Sequence, residues 1–330
     1  MQQRRVQVRI DDRARLLSAI LAATSWPDDE QTRKPHGVHA HARGTRRVVS
    51  GFAHHPAVHA MQTLLDKWAP LEAVYTYVMR LSWPGLETDE IPRWVPPKWN
   101  EQLKHFYEVT NLAEWWAEEE DRWSGAKTAA ETALDGADFY AFLEVFIGPI
   151  AETLMFIPNI CYPTDTEIGV RRGTELCCLA PPRIAWGSNP PWPFDEDPAH
   201  VLRAALSQYG RLLLLAYLRQ HADALAPLAW QKLPITAQFA AKYPTFNEQF
   251  AALFVVGAVG LFLERTISKQ EAKAYVLMRT KAEGVTILPG MVSVLGRYLE
   301  GRAAGRWNEL IDYLPHFPRQ LRVAKTITTL

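Results

Sequence analysis

Cysteine is scarce: the chain has three in 330 residues, Cys161 and the adjacent Cys177-Cys178. Such a set offers no disulfide framework and no Cys-x-x-Cys zinc spacing, so buried apolar thiols in a reducing compartment are expected. An excess of charge is also lacking. Lys+Arg and Asp+Glu each total 36, and nothing in that balance draws the chain to nucleic acid or to an anionic membrane. The opening Met-Gln-Gln-Arg-Arg-Val-Gln-Val-Arg-Ile-Asp-Asp has no continuous apolar stretch of the secretory kind. The longest apolar run, residues 250–263, is shorter than the roughly 20 residues a bilayer span needs. A P-loop, a Gly-rich dinucleotide fingerprint, a Gly-x-Ser-x-Gly elbow and internal repeats are all missing. The expectation from these absences is a cytoplasmic globular chain without a nucleic-acid or membrane partner. Its length allows one continuous domain, or two divided into 1–150 and 151–330.

What is present is organised around residues 199–265, two long apolar helices. In the first, Leu202, Ala205, Leu206, Tyr209, Leu212, Leu213 and Ala216 follow the spacing of a buried face, while Ser207 and Arg211 share another. The second opens with Thr245-Phe-Asn-Glu248, a capping box, and runs through Phe250, Phe254, Val259 and Phe262 to Glu264-Arg265. A carboxylate buried at the end of so apolar a helix needs a partner, because burying it alone costs several kcal/mol. Arg211 is the expected one, with a solvent-facing Arg211 as the alternative.

Elsewhere the pattern predicts a short strand at Val6–Ile10 and a helix capped by Asp11 or Asp12. A polar connection over 28–47 carries His36, His39 and His41, read as solvent histidines rather than metal ligands because a loop fixes no geometry. His54 or His55, before Pro56, lies at a helix start, with capping favoured over a role in a site. Two segments rich in Trp and Pro, 82–99 and 180–194, read as extended connectors. Their indoles, Trp186 and Trp192 among them, either line a cleft with Tyr209 and His55 or pack on the core. Short runs at 154–157, 175–179 and 183–186 read as strands of a small sheet. Two further helices are expected from Ser268 and from Pro289, a last one over 306–314, and a fraying tail from Pro315.

Several of these stretches together, 8–21, Gly51-Phe-Ala-His-His-Pro-Ala-Val58, Asp138-Phe-Tyr-Ala-Phe142 and Phe262-Leu-Glu-Arg265, resemble a bacterial family of the DUF4932 type, related to the gluzincin metallopeptidases. The resemblance implies an α+β, mostly helical fold of zincin-like architecture, with a small sheet beside the metal-site helix. It implies a zinc site in which His-Glu-x-x-His supplies two ligands and a base, and a later glutamate the third ligand. Here Ser207-Gln-Tyr-Gly-Arg211 stands in the place of that motif and Glu264 in the place of the third ligand. Serine and arginine do not replace two imidazoles, and Gln208 takes no proton as a glutamate does. The expectation is therefore a pseudoenzyme with a vestigial site (Ser207, Gln208, Arg211, Glu264), zinc lost and no catalytic residue, that binds a peptide or protein. The alternatives are a hydrolase drawing ligands from His200 or His221 with Glu264, and a structural subunit that uses its Trp-rich loops as an interface.

Overall fold

A computed structural model describes residues 4–161, 166–185, 187–282 and 285–328. The chain is mostly helical with one small mixed sheet, an α+β fold. It divides into two compact units, neither continuous in sequence: a sheet-bearing unit of Val6–Asp135 and Thr153–Ala204, and a helical unit of Gly136–Glu152 and Ala205–Leu330 with Met1–Arg5. This is not the division at residue 150 that the sequence suggests. The reason lies in the sheet, whose first strand is drawn from near residue 7 and whose others come from beyond residue 150.

In the sheet-bearing unit, β1 (Gln7–Val8) leads to α1 (Asp12–Ala22), where Asp11 caps the helix by accepting from the Arg13 amide. Helices α2 (Trp26–Arg33), α3 (Ala40–Val49), α4 (Pro56–Asp66), α5 (Leu71–Arg80), α6 (Trp99–Val109), α7 (Leu112–Glu118) and α8 (Glu120–Leu134) follow. The stretch 28–47, expected as a polar loop, thus belongs largely to two helices. β2 (Thr153–Pro158), β3 (Ile168–Arg172) and β4 (Glu175–Ala180) complete the sheet in the order β1-β2-β4-β3. β2 pairs in parallel with β1 and β4, and β3 with β4 antiparallel.

Parallel strands covered on both faces read as continuous apolar runs rather than alternating ones. Leu154–Pro158 and Leu176–Ala180 are accordingly buried throughout, with α5 and α8 packed on the sheet. The third run, 183–185, forms no strand, and Trp186 lies outside the described residues. β3 carries the weaker signal Ile-Gly-Val-Arg-Arg and joins β4 through Gly173, whose φ of 56° suits a residue without a Cβ. One buried polar cluster of this unit is satisfied internally: Ser18 Oγ donates to Ala14 O (2.7 Å), meets Tyr75 Oη (2.8 Å) and accepts from Asn159 Nδ2 (2.8 Å).

The helical unit begins with α9 (Phe139–Ile147), capped by Asp138. α10 (Pro198–Gln220) enters it after Ala204 and is followed by α11 (Ala222–Leu225), α12 (Ala237–Lys242), α13 (Phe246–Thr266), α14 (Lys269–Ala282), α15 (Leu288–Ala303), α16 (Leu310–Tyr313) and α17 (Phe317–Thr328). Both limbs of the expected capping box form: Thr245 Oγ1 accepts from the Glu248 amide, and the Thr245 amide donates to Glu248 Oε2. α13 is 21 residues, long and apolar enough to span a bilayer by length and composition, and longer than its sequence run implies. Two thirds of its apolar window, 67%, is buried within the structure, as in a core helix.

Phe139 meets Phe262 at a tilt and Phe142 meets it edge-on, while Phe146 packs edge-on against Phe254 and stacks on Tyr298. The tail expected to fray is instead helical, since Phe317 and Leu321 are buried and Phe317 packs edge-on against Phe250. At Gly257 a Cβ would lie 2.8 Å from Met291 Cγ and 3.0 Å from Leu295 Cδ1, so α13 and α15 approach more closely than any side chain there allows. Gly257→Ala is expected to lower unfolding free energy by about 1–3 kcal/mol despite its better helix propensity, as read from urea denaturation.

Candidate functional site

The residues singled out from the sequence fall in both units: Ser207, Gln208, Tyr209, Arg211 and Glu264 in the helical one, His55 and Trp192 in the sheet-bearing one. Tyr209 is fully buried, and its ring meets Phe139 edge-on at 5.8 Å. It is therefore core, not cleft lining, because that face of α10 spends its aromatic area inside the helical unit. Gln208 is buried and Ser207 half-buried, and Arg211 Nη2 donates to Gln208 Oε1 at 3.1 Å within the same helix. Glu264 is exposed, and among the described residues no ion pair joins it to Arg211. The expected pair fails at its premise, since a solvated carboxylate carries no desolvation cost for a cation to offset.

In the sheet-bearing unit, His55 is the cap of α4: its Nδ1 accepts from the Ala57 amide at 3.1 Å, and its Nε2 meets His105 Nδ1 at 2.8 Å. Burial and the neighbouring His105 lower its pKa. Trp192 is 45% exposed. His200, a candidate ligand in the hydrolase alternative, has both ring nitrogens engaged. Nε2 donates to Pro181 O (3.0 Å) and Nδ1 accepts from Arg203 (3.1 Å), leaving no lone pair for a metal. Burial, then Arg203, push its pKa down to about 4. Among the described residues no group of three or more His, Cys, Asp or Glu side chains is placed to hold a metal ion.

Glu264 does border a cavity of about 430 Å³, lined by α13, α14 and α15 of the helical unit. Its floor is Gly260, where a Cβ would meet Val292 Cγ2 at 3.1 Å and Val276 Cγ2 at 3.6 Å. Ala272, Val276, Leu277, Pro289 and Val292 make the walls apolar, and Glu264, Lys269 and Lys273 stand at the end nearest the α13–α14 turn. From Lys269 to Thr280 the α14 wall runs about 16 Å at 1.5 Å per residue. At the far end, the Thr280 hydroxyl is buried with no hydrogen-bond partner among the described residues. Leu277 and Met278 are 55% and 47% exposed, so apolar surface continues out of the groove along α14. The sequence signal for it was available as Ala272, Val276 and Thr280 at helical spacing, but that pattern equally describes a covered face.

A second arrangement was missed in the sequence. His41, expected in solvent, is wholly buried in the sheet-bearing unit. Its Nε2 accepts from Trp123 Nε1 (3.1 Å), so its proton sits on Nδ1, facing Glu119 Oε2 at 3.2 Å. Thr45 Oγ1 lies 3.2 Å from Nε2, Trp115 stacks on the ring, and Trp123 meets it edge-on. Burial first, then His39, Arg15 and Arg122, push the His41 pKa down to about 3, so the imidazole is neutral. Carboxylate, imidazole and hydroxyl are thus in line, but with His41 and Thr45 both at 0% exposure no substrate reaches them. The arrangement is structural.

Because Glu264 is solvated, Glu264→Ala is expected to change stability by less than about 0.5 kcal/mol in chemical denaturation; a loss of 3 kcal/mol would mean a buried partner after all. Compared with protein-family models, with curated proteins and with solved structures, the chain gives no significant match.

Proposed function

We propose that this chain is a binding protein, not a hydrolase, and that the α13–α14–α15 groove takes an amphipathic helix of a protein partner. The observation that carries the reading is the groove itself: apolar walls, a glycine floor, one charged end, and a volume within the range of ligand sites. Helix-in-groove recognition sets apolar anchors at i, i+3, i+4 and i+7 against such walls, and about 11 residues match 16 Å. Two lysines against one glutamate leave the charged end net positive, which favours a partner helix with acidic residues there.

A distant relation to zincin-type peptidases is compatible with this reading. In that relation Ser207, Gln208 and Arg211 supply no zinc ligand, Glu264 survives as a groove residue, and zinc binding has been lost. Binding would then have outlasted chemistry.

Two measurements test this. Protein purified without a polyhistidine tag is expected to hold well under one zinc per chain by elemental analysis, whereas stoichiometric zinc lost on Glu264→Ala would restore the hydrolase. A fluorescent 12-residue amphipathic peptide, with leucines at helical spacing and glutamates at one end, is expected to bind the protein. Val276→Glu and Gly260→Val should each weaken it by about tenfold or more, the loss of one buried apolar anchor. Equal affinity for wild type and both variants would sink the groove as the site.

A further inference from the structure

Helix α3 is held in the sheet-bearing unit by two imidazoles, each through one acceptor nitrogen. His39 is its cap, and its Nδ1 takes the His41 amide at 3.1 Å. His41 Nε2 takes the Trp123 indole N–H from α8. An indole N–H and a backbone N–H only donate, so an added proton on either acceptor nitrogen sets donor against donor. Neither contact survives protonation.

The surrounding charges oppose the imidazolium from several elements. Arg122 of α8 and Arg43 of α3 act on His39. Arg15 of α1 stacks over the Trp116 and Trp123 rings at 4.3 and 4.5 Å and, with Arg122, acts on His41. The carboxylate that would favour the cation, Glu119, is itself paired with Arg122 at 2.7 Å. Asp12 is engaged by Arg15 at 3.1 Å, and Glu120 also acts on Arg15. Cys161, whose thiol reaches Thr45, has its pKa pushed up to about 12 by burial and stays neutral.

We infer that acid releases α3: protonation of His39 and His41 removes its cap and its anchor, and this segment of the sheet-bearing unit opens as the pH falls below neutrality. The sign follows from linkage. Both histidines hold pKa values of about 4 and about 3 when closed, against 6.5 when free, so the open form binds more protons at every pH between. From pH 7 to pH 5 the open-to-closed ratio should rise about 500-fold with both histidines and about 25-fold with one.

Hydrogen exchange of the Ala40–Val49 amides, corrected for the intrinsic pH dependence, reads that ratio directly. Wild type is expected to lose protection with a steepness that rises to nearly two protons around pH 5, while α13 and α15 keep theirs. His39→Asn, which keeps a neutral capping acceptor, should halve the steepness. Protection of α3 that does not change with pH, an unaltered steepness in His39→Asn, or parallel loss of protection in α13 would each overturn the inference.

Discussion

The hydrogen atoms where Gly257 and Gly260 lack side chains set the geometry of the helical unit. At Gly257 the α15 side chains Met291 and Leu295 come within 3.0 Å of where a Cβ would stand, so α13 and α15 lie close. About one helical turn on, Gly260 lets Val292 of α15 and Val276 of α14 come within 3.1 and 3.6 Å of where a Cβ would stand, and so forms the floor of the groove. A side chain at the first position would force α13 and α15 apart, and one at the second would press on Val292 and Val276. The aromatic cluster behind α13, with Phe139, Phe142 and Phe146 on Phe254 and Phe262, is the counterpart on its other face.

The sheet-bearing unit depends on a different constraint, the cost of burying polar groups. Its interior holds Ser18, Asn159, His41, Thr45 and Asp11, and bonds to neighbouring groups satisfy each of them. Desolvation governs the chemistry that results. Imidazoles are driven neutral and thiols are driven to high pKa, with Cys177 at about 11. A neutral histidine is a good acceptor in such a place, and that is the use made of it at two helix starts and in the α3–α8 contact.

Local signals were legible where one residue satisfies its own neighbours. The Thr245–Glu248 box and the apolar runs of β2 and β4 are apparent from spacing, and the caps of α1 and α4 are so to within one residue, Asp11 rather than Asp12 and His55 rather than His54, because each is a short-range bond or a pattern of burial. The candidate site was less so. Glu264 was singled out as a buried carboxylate, and it is instead the exposed edge of a groove. His41 looked like a loop residue because the segment from 28 to 47 is polar in composition, and nothing local shows that Trp115 and Trp123 close over it.

By itself, the sequence determined the helix-rich composition, the neighbourhood of the caps, the short apolar strands of a small sheet and the lack of a disulfide framework, since periodicity and nearest-neighbour bonding are written residue by residue. Only the tertiary structure decided which strand from near residue 7 joins β2, which apolar helix face stays uncovered, and which histidine leaves water. Those outcomes rest on partners far apart in sequence: Gln7 with Met155, Gly260 with Val292, His41 with Glu119 and Trp123. Whether an exposed-looking polar residue is solvated or desolvated is fixed by what folds over it, and no spacing rule along the chain carries that information.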